Sequence, residues 1–383
     1  ALIYIHVPFC RSFCTYCGFY SEAVPVCRGK EAGERIRFSK YTDAVCAEIE
    51  ARAEEIKATL PSSRFPDNAD TLYIGGGTPS VLPLDCIQKI VKKLNETIYG
   101  DSWHNYNEFT IEVNPEDILE KGDDYVRALK VLGVNRISMG VQSFDDSILK
   151  WMNRRHDADG AEEAYWMLRV NDFRNISIDL IYGIGGMSDE VWEATVHKAI
   201  GLSPSHISAY QLSVEDNSAL ADLVDSGRYI EASEEVCCRQ YEILCGLLQD
   251  AGYKHYEVSN FAYPGFEARH NSAYWRRVPY VGLGPGAHSA VASSGGKVNA
   301  RLWNSQSESD YVSEKEILTD EDIHVEEIML ALRTSDGIEP EKLPADVVEK
   351  LLSEGALTWT IWRRLRIPEE KFFVSDEIIR ELI

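Results

Sequence analysis

Tyr4-Ile-His-Val-Pro-Phe-Cys10-Arg-Ser-Phe-Cys14-Thr-Tyr-Cys17-Gly-Phe19 sets three cysteines in the spacing C-x3-C-x2-C. Three thiolates in one short loop can each hold one iron of a cubic four-iron cluster, and a full set of cysteine ligands would need four. One iron is left open. An open iron can be chelated by the amino and carboxylate groups of S-adenosylmethionine (SAM), and one electron from the cluster then cleaves the sulfonium to a carbon radical, chemistry that belongs to the cofactor. Zinc is the other reading. Structural zinc sites close with four ligands and usually come as paired C-x2-C units, and the only nearby additions are His6, Cys27 and water. The spacing favours the cluster.

Composition is compatible with a reducing interior. Nine cysteines in 383 residues, with nothing that reads as a signal peptide, predict free thiols in the cytoplasm rather than a disulfide framework. Cys27, Cys46, Cys86, Cys237, Cys238 and Cys245 lie outside the loop and are expected as small hydrophobes, not ligands. A hydrophobic content of 44% allows a large core, and no apolar run is long enough for a membrane span. The formal charge of −23 repels a phosphate backbone and excludes nucleic acid as the main partner.

Leu2 to Val7 is a β-rich run ending at Pro8, so the cysteine loop leaves the end of a first strand. Residues 22 to 38 lack periodicity and read as a long connection. A helix is expected from Lys40 to about Thr59. Apolar runs then recur at Thr71–Ile74, Phe109–Val113, Arg136–Val141, Ile176–Tyr182 and His206–Leu212, separated by helical patterns such as Tyr125–Leu132 and Ala161–Val170. Such β/α repetition builds an open doubly wound sheet or a barrel, closed or partial, and the pattern alone does not choose. After a helix over Ala232–Gln249, runs at Lys254–Ser259 and Val278–Leu283 are expected to extend the sheet. From about Tyr311 the text turns helical, with helices at Asp322–Arg333, Ala345–Ser353 and from Ser375, and a hairpin over Leu357–Leu365. The expected division is therefore 1–310 and a small winged-helix-like domain, 311–383.

Polar letters gather at strand ends, where parallel α/β folds place their chemistry. Gly75-Gly76-Gly77-Thr78 follows one strand, Glu112 and Asn114 end the next, Gln142 follows Val141, and Asp179 sits within its strand. A glycine run lets backbone approach a ligand, although by itself it is equally a tight β-to-α turn.

Tyr-Ile-His-Val-Pro-Phe-Cys before the loop and Gly-Gly-Gly-Thr-Pro-Ser at 75 to 80 resemble the radical SAM superfamily, in the branch of oxygen-independent coproporphyrinogen III oxidases and related heme chaperones (HemN and HemW type). The resemblance runs nearly end to end. It implies an α/β partial (β/α)6 TIM-like barrel with extra strands, and a 4Fe-4S cluster on Cys10, Cys14 and Cys17. It further implies SAM contacts at Tyr4, Tyr16, Phe19, Gly76, Gly77, Thr78, Glu112, Gln142, Arg154, Asp179 and, in the glycine-rich stretch 280 to 289, His288.

Residues 268 to 277, Ala-Arg-His-Asn-Ser-Ala-Tyr-Trp-Arg-Arg, stand out as basic in an acidic chain. An imidazole can ligate heme iron, arginines can pair with propionates, and aromatic rings can lie on the macrocycle. His-Asn-x-x-Tyr-Trp resembles the signature of the heme-chaperone branch, which implies a heme site at His270, Asn271, Tyr274, Trp275 and Arg276. The oxidase branch carries a further cysteine two positions after the third and a longer N-terminal segment, whereas this chain has Phe19 there and starts nine residues before Cys10. Heme as cargo, an acceptor protein and an electron donor are therefore the expected partners, with membrane contact only through an acceptor. Oxidative decarboxylation of coproporphyrinogen is the enzymatic alternative, and a zinc-stabilised binding module the third.

Overall fold

The computed structural model describes residues 1–24, 31–60, 70–216, 218–292 and 298–383, and Cys27 lies outside them. Six parallel strands form its frame: β1 (Leu2–Val7), β4 (Thr71–Gly76), β5 (Glu108–Val113), β6 (Arg136–Gln142), β7 (Asn175–Tyr182) and β8 (His206–Gln211), neighbours in that order. Two short strands, β2 (Phe9–Cys10) and β3 (Glu22–Ala23), pair beside the cysteine loop. At one edge β11 (Val281–Leu283) runs parallel to β1; at the other, β10 (Asn260–Ala262) runs antiparallel to β8 and carries β9 (Lys254–Glu257). The nine strands make one sheet that does not close on itself. The two late β-runs thus extend opposite edges of the frame.

Each parallel strand sorts its letters with period two, as strand geometry requires. In β6, Ile137, Met139 and Val141 are fully buried, while Arg136, Ser138, Gly140 and Gln142 line the inner cavity. In β7, Ile176, Ile178 and Leu180 alternate with Ser177 and Asp179. The apolar set packs on α1 (Glu31–Ala51), α2 (Ala53–Ala58), α3 (Leu84–Tyr99), α4 (Pro115–Val131), α5 (Asp146–Trp151), α6 (Ala158–Val170) and α7 (Asp189–Leu202), and the polar set faces the concave interior. Hydrophobic burial thus drives the helices onto one face of the sheet and leaves the other for ligands.

Several expected boundaries move. The stretch from 22 to 38 contains β3 and the opening of α1, whose first turns carry Glu31, Glu34, Arg35 and Arg37 on a mostly exposed surface and so show no apolar period. The helix expected over 40 to 59 is two helices, separated at Arg52, whose guanidinium is shared between Glu48, Glu55, Ser289 and the Gly282 carbonyl. An unforeseen antiparallel sheet joins β12 (His288–Ala292), β13 (Val298–Asn304) and β14 (Ser313–Ile317), so one sheet spans residue 311.

Beyond α8 (Ala219–Asp225), α9 (Glu234–Asp250) and α10 (Arg269–Trp275), the chain ends in α11 (Asp320–Ala331), α12 (Ala345–Ser353) and α13 (Ser375–Arg380), with a hairpin of β15 (Thr358–Trp359) and β16 (Leu365–Arg366) between the last two. Thr319 and Asp322 cap α11 reciprocally, each satisfying a backbone donor of the other.

Trp192 is the largest fully buried side chain; its Nε1 donates to the Gln240 carbonyl at 2.8 Å and its ring lies 5.8 Å from that of Tyr182. Trp192→Ala should lower unfolding free energy by about 3–5 kcal/mol in a urea titration, the usual cost of emptying such a site. A loss under about 1 kcal/mol would mean that α7 and α9 do not depend on this contact.

Candidate functional site

A cavity of about 540 Å³ opens at the carboxyl-terminal ends of the parallel strands and reaches inward between them. Cys10, Cys14 and Cys17 lie on its rim with Tyr16 and Phe19. The cysteine loop has no regular structure of its own and is held by its neighbours. The Thr15 amide and hydroxyl donate to the carbonyls of Met152 and Trp151, at 3.1 and 2.8 Å; Asn153 Nδ2 donates to the Phe13 carbonyl at 2.7 Å; and the Leu220 amide donates to the Thr15 carbonyl at 2.8 Å. The end of α5 and the start of α8 therefore set where the thiols point.

Arg154 sits among them. Its Nη1 donates to Cys14 Sγ at 3.3 Å, its Nη2 to Asn114 Oδ1 at 2.7 Å and to the Gly140 carbonyl at 2.6 Å, and its buried Nε has no partner among the described residues. Cys10 Sγ lies 3.4 Å from Thr78 Oγ1. Burial pushes the Cys10 thiol up and that of Cys17 to about 11. Thiols so placed ionise when a cation compensates for desolvation, and coordination to metal supplies that compensation.

The glycine run packs tightly against the loop. Gly76 adopts φ +113°, and a Cβ there would sit 2.7 Å from the His6 ring; at Gly77 a Cβ would fall 2.9 Å from the Phe9 carbonyl and 3.1 Å from Cys10 Sγ. Any side chain at 77 would displace the first cysteine.

Deeper in, Glu112 accepts from the Tyr73 hydroxyl at 2.7 Å and the Gly76 amide at 3.0 Å, and burial raises it to about 7. Asp179 accepts from the hydroxyls of Ser138 at 2.9 Å and Ser177 at 3.2 Å; burial raises it as well. Gln142 reaches the cavity from a residue at φ +71°, beside an irregularity in the β6–β7 register. Tyr16, Phe19, Gly76, Gly77, Thr78, Glu112, Gln142, Arg154 and Asp179 are thus brought to one cavity.

Two expected members are not. Tyr4 is absent from the lining; its hydroxyl pairs with His6 Nδ1 at 3.1 Å and its ring lies against Tyr73. His288 faces a separate cavity of about 330 Å³ with Tyr274, Arg277 and Tyr280, because the chain turns back after Gly284-Pro-Gly286 and β12 leaves the parallel frame for its own sheet.

The helix α10, which carries His-Asn-x-x-Tyr-Trp, lies at the opposite end of the strands. Glu108, the first residue of β5, accepts from the amides of Arg269 and His270 at 2.7 and 3.0 Å. His270 is 1% exposed; Nδ1 pairs with Thr71 Oγ1 and Nε2 with the Tyr274 hydroxyl, each at 2.7 Å, and burial with the nearby Arg136 charge pushes it down to about 3. Both ring nitrogens are engaged, so the ring is placed as a core group, short of any surface. Asn271 lines the cysteine cavity from behind, Trp275 lies beside Glu257, and Arg276 pairs with Asp336 at 2.7 Å near the surface. The expected heme residues are therefore dispersed around one short helix.

Reasoning from sequence missed Arg136, Ser138 and Ser208 on the cavity wall, and Thr78 as a partner of Cys10. The alternate polar letters of otherwise apolar strands were the signal.

A parallel β/α sheet with three thiols and a buried arginine at its carboxyl-terminal mouth defines the class of cluster-dependent SAM proteins. Residues 4–199, just over half the chain, match the family model of the radical SAM superfamily. The chain is 31% identical to the heme chaperone HemW of Bacillus subtilis over 350 residues, covering 88% of this chain and 85% of that one, and 33% identical to HemW of Lactococcus lactis over 343 residues, covering 88% and 83%. In fold it is similar to the coproporphyrinogen III oxidase HemN of Escherichia coli, with a TM-score of 0.75 at 21% identity over 99% of this chain and 89% of that one. The chain belongs to the radical SAM superfamily and, within it, to the HemW family.

Membership implies a 4Fe-4S cluster and SAM. The donor set fits: three thiols share one cavity rim, Gly77 leaves room beside Cys10, and Arg154 offers an unsatisfied buried donor. Among the described residues no three His, Cys, Asp or Glu side chains gather as the ligands of a single ion.

Glu112 makes a pH test. Its value of about 7 lies above the ordinary 4.5, so between those pH values the folded chain holds a proton that the unfolded chain has lost, and stability falls as pH rises through that window. Glu112→Gln should flatten this decline in urea midpoints of the cluster-free protein; Glu257, also near 7, keeps part of the slope. An unchanged slope would assign the effect elsewhere.

Proposed function

We propose that this chain is a heme-trafficking protein of the radical SAM type, which binds heme and passes it to an acceptor protein. Cys10, Cys14 and Cys17 would hold one 4Fe-4S cluster; when bound, the cluster supplies the electron for reductive cleavage of SAM. Arg154 would pair with the SAM carboxylate, while Glu112, Gln142 and Asp179 would hold its amino group and ribose hydroxyls, with Gly76, Gly77 and Thr78 offering backbone and Tyr16 and Phe19 shielding the mouth. This chemistry is assigned to residues 1–310, with β14 of the following stretch joined to β12 and β13 and helices α11 to α13 making up the smaller C-terminal part. A reducing compartment such as the cytoplasm suits the unpaired thiols.

One observation carries the choice of chaperone over oxidase. Phe19, 76% exposed on the rim, stands where the oxidase branch has a further cysteine. Identity to the HemW proteins, named as heme chaperones, supports the same choice. The heme site is assigned to the neighbourhood of α10. Axial ligation by His270 requires Tyr274 or Thr71 to release the ring.

Replacing Cys10, Cys14 and Cys17 by alanine together should abolish iron and sulfide after anaerobic reconstitution, while Cys237→Ala retains both; full iron in the triple variant sinks the cluster assignment. Anaerobic titration with heme should give the absorbance of a ligated iron, lost in His270→Ala without loss of cluster. With SAM, a strong reductant and coproporphyrinogen III, no decarboxylated product is expected. Steady turnover to protoporphyrinogen would replace the chaperone reading with the oxidase one.

A further inference from the structure

The inner end of the cysteine cavity holds a guanidinium whose hydrogen-bond donors are unclaimed. Arg136 opens β6, is 1% exposed and lines the cavity, yet among the described residues its guanidinium makes no hydrogen bond or ion pair, and its Nε is buried and unsatisfied. Glu108, and Asp179 after it, balance its charge across space, but a buried donor left without an acceptor is still costly. None of the acidic side chains nearby accepts a hydrogen bond from it. Glu108 is bonded to the two amides of α10, Glu112 to Tyr73 and Gly76, and Asp179 to Ser138 and Ser177. Burial moreover holds Glu112 and Asp179 toward their neutral forms, so the floor is less negative than a count of carboxylates suggests.

Arg136 is also separate from Arg154. The latter is bonded to Cys14, Asn114 and Gly140 at the mouth, whereas Arg136 shares the inner end with Asn271 of α10. A guanidinium with its donors unclaimed, facing a cavity that opens at its far end, suits a planar carboxylate that enters from that mouth.

We propose that Arg136 is a carboxylate-binding residue, and that the group it receives is a propionate arm of a tetrapyrrole reaching into the sheet interior. This rests on the heme-trafficking reading for the identity of the ligand, while the carboxylate chemistry rests on Arg136 alone. The other source of a carboxylate is SAM itself, and the experiment separates the two.

Metal-free coproporphyrin III and its tetramethyl ester are titrated into the reconstituted protein, and SAM is titrated separately, for the wild type, Arg136→Met and Arg136→Lys. Iron and sulfide counts for each variant check that the mouth is intact. The wild type should bind the free acid about tenfold or more tightly than the ester, Arg136→Met should erase that preference, Arg136→Lys should keep part of it, and SAM affinity should not move. If Arg136→Met instead weakens SAM about tenfold and leaves the porphyrin preference unchanged, the tetrapyrrole assignment falls and the carboxylate is that of SAM. If neither titration depends on Arg136, or the wild type binds acid and ester alike and SAM is unaffected, the proposal is overturned. A wild type that binds neither heme nor porphyrin refutes the trafficking reading instead, and the SAM titration still decides whether Arg136 takes a carboxylate.

Discussion

Arg154 ties the chemistry of this chain to its sheet. One guanidinium reaches a thiol of the loop, a side chain at the end of β5 and a main-chain carbonyl of β6, and it does so from the segment just after α5 that also holds the loop by its backbone. A loop of this kind carries no ladder of its own hydrogen bonds, so its geometry must be borrowed. Charge-assisted bonds at 2.6 and 2.7 Å anchor the arginine firmly, and the thiol it touches inherits that position.

The same economy shapes the interior. A sheet covered by helices on one face reads as apolar on that face, and in this chain the other face is free to carry Ser138, Ser177, Ser208, Glu112, Asp179 and Arg136. Neutral hydroxyls solvate the two acids, so they can be buried without mutual ionisation, and the guanidinium of Arg136 keeps its hydrogen-bond donors unclaimed. An interior assembled this way is polar and largely buried, which strengthens any interaction a ligand makes there.

The two ends of the strands are therefore unlike. The mouth carries thiols and glycines; the base is stoppered by α10, whose amides rest on Glu108 and whose His270 is locked between Thr71 and Tyr274. The helix reaches the cavity through Asn271, while its imidazole comes to no surface.

Much was legible from the letters because it depends on local rules. The C-x3-C-x2-C spacing, the glycine run and the recurrence of apolar runs with helical text between them each reflect a short-range constraint: loop reach, freedom from a Cβ, strand and helix period. The strands around Thr71, Phe109, Arg136, Ile176 and His206 stand where that period places them. The polar opening of α1 escaped notice because an exposed helix end has no apolar stripe to read. What needed the tertiary structure was every statement about direction and partnership across long separations. His270 and Thr71 are 199 residues apart, Arg154 and Cys14 are 140, and no periodicity encodes that one imidazole is sealed while one arginine meets a thiol. His288 shows the same limit, since a motif position tells which residue is present and only the reversal at Gly284-Pro-Gly286 decides which cavity it faces. Spacing along the chain determined the chemistry available; packing of the sheet, through burial and the pairing of polar groups it enforces, decided which of those groups remain free to act.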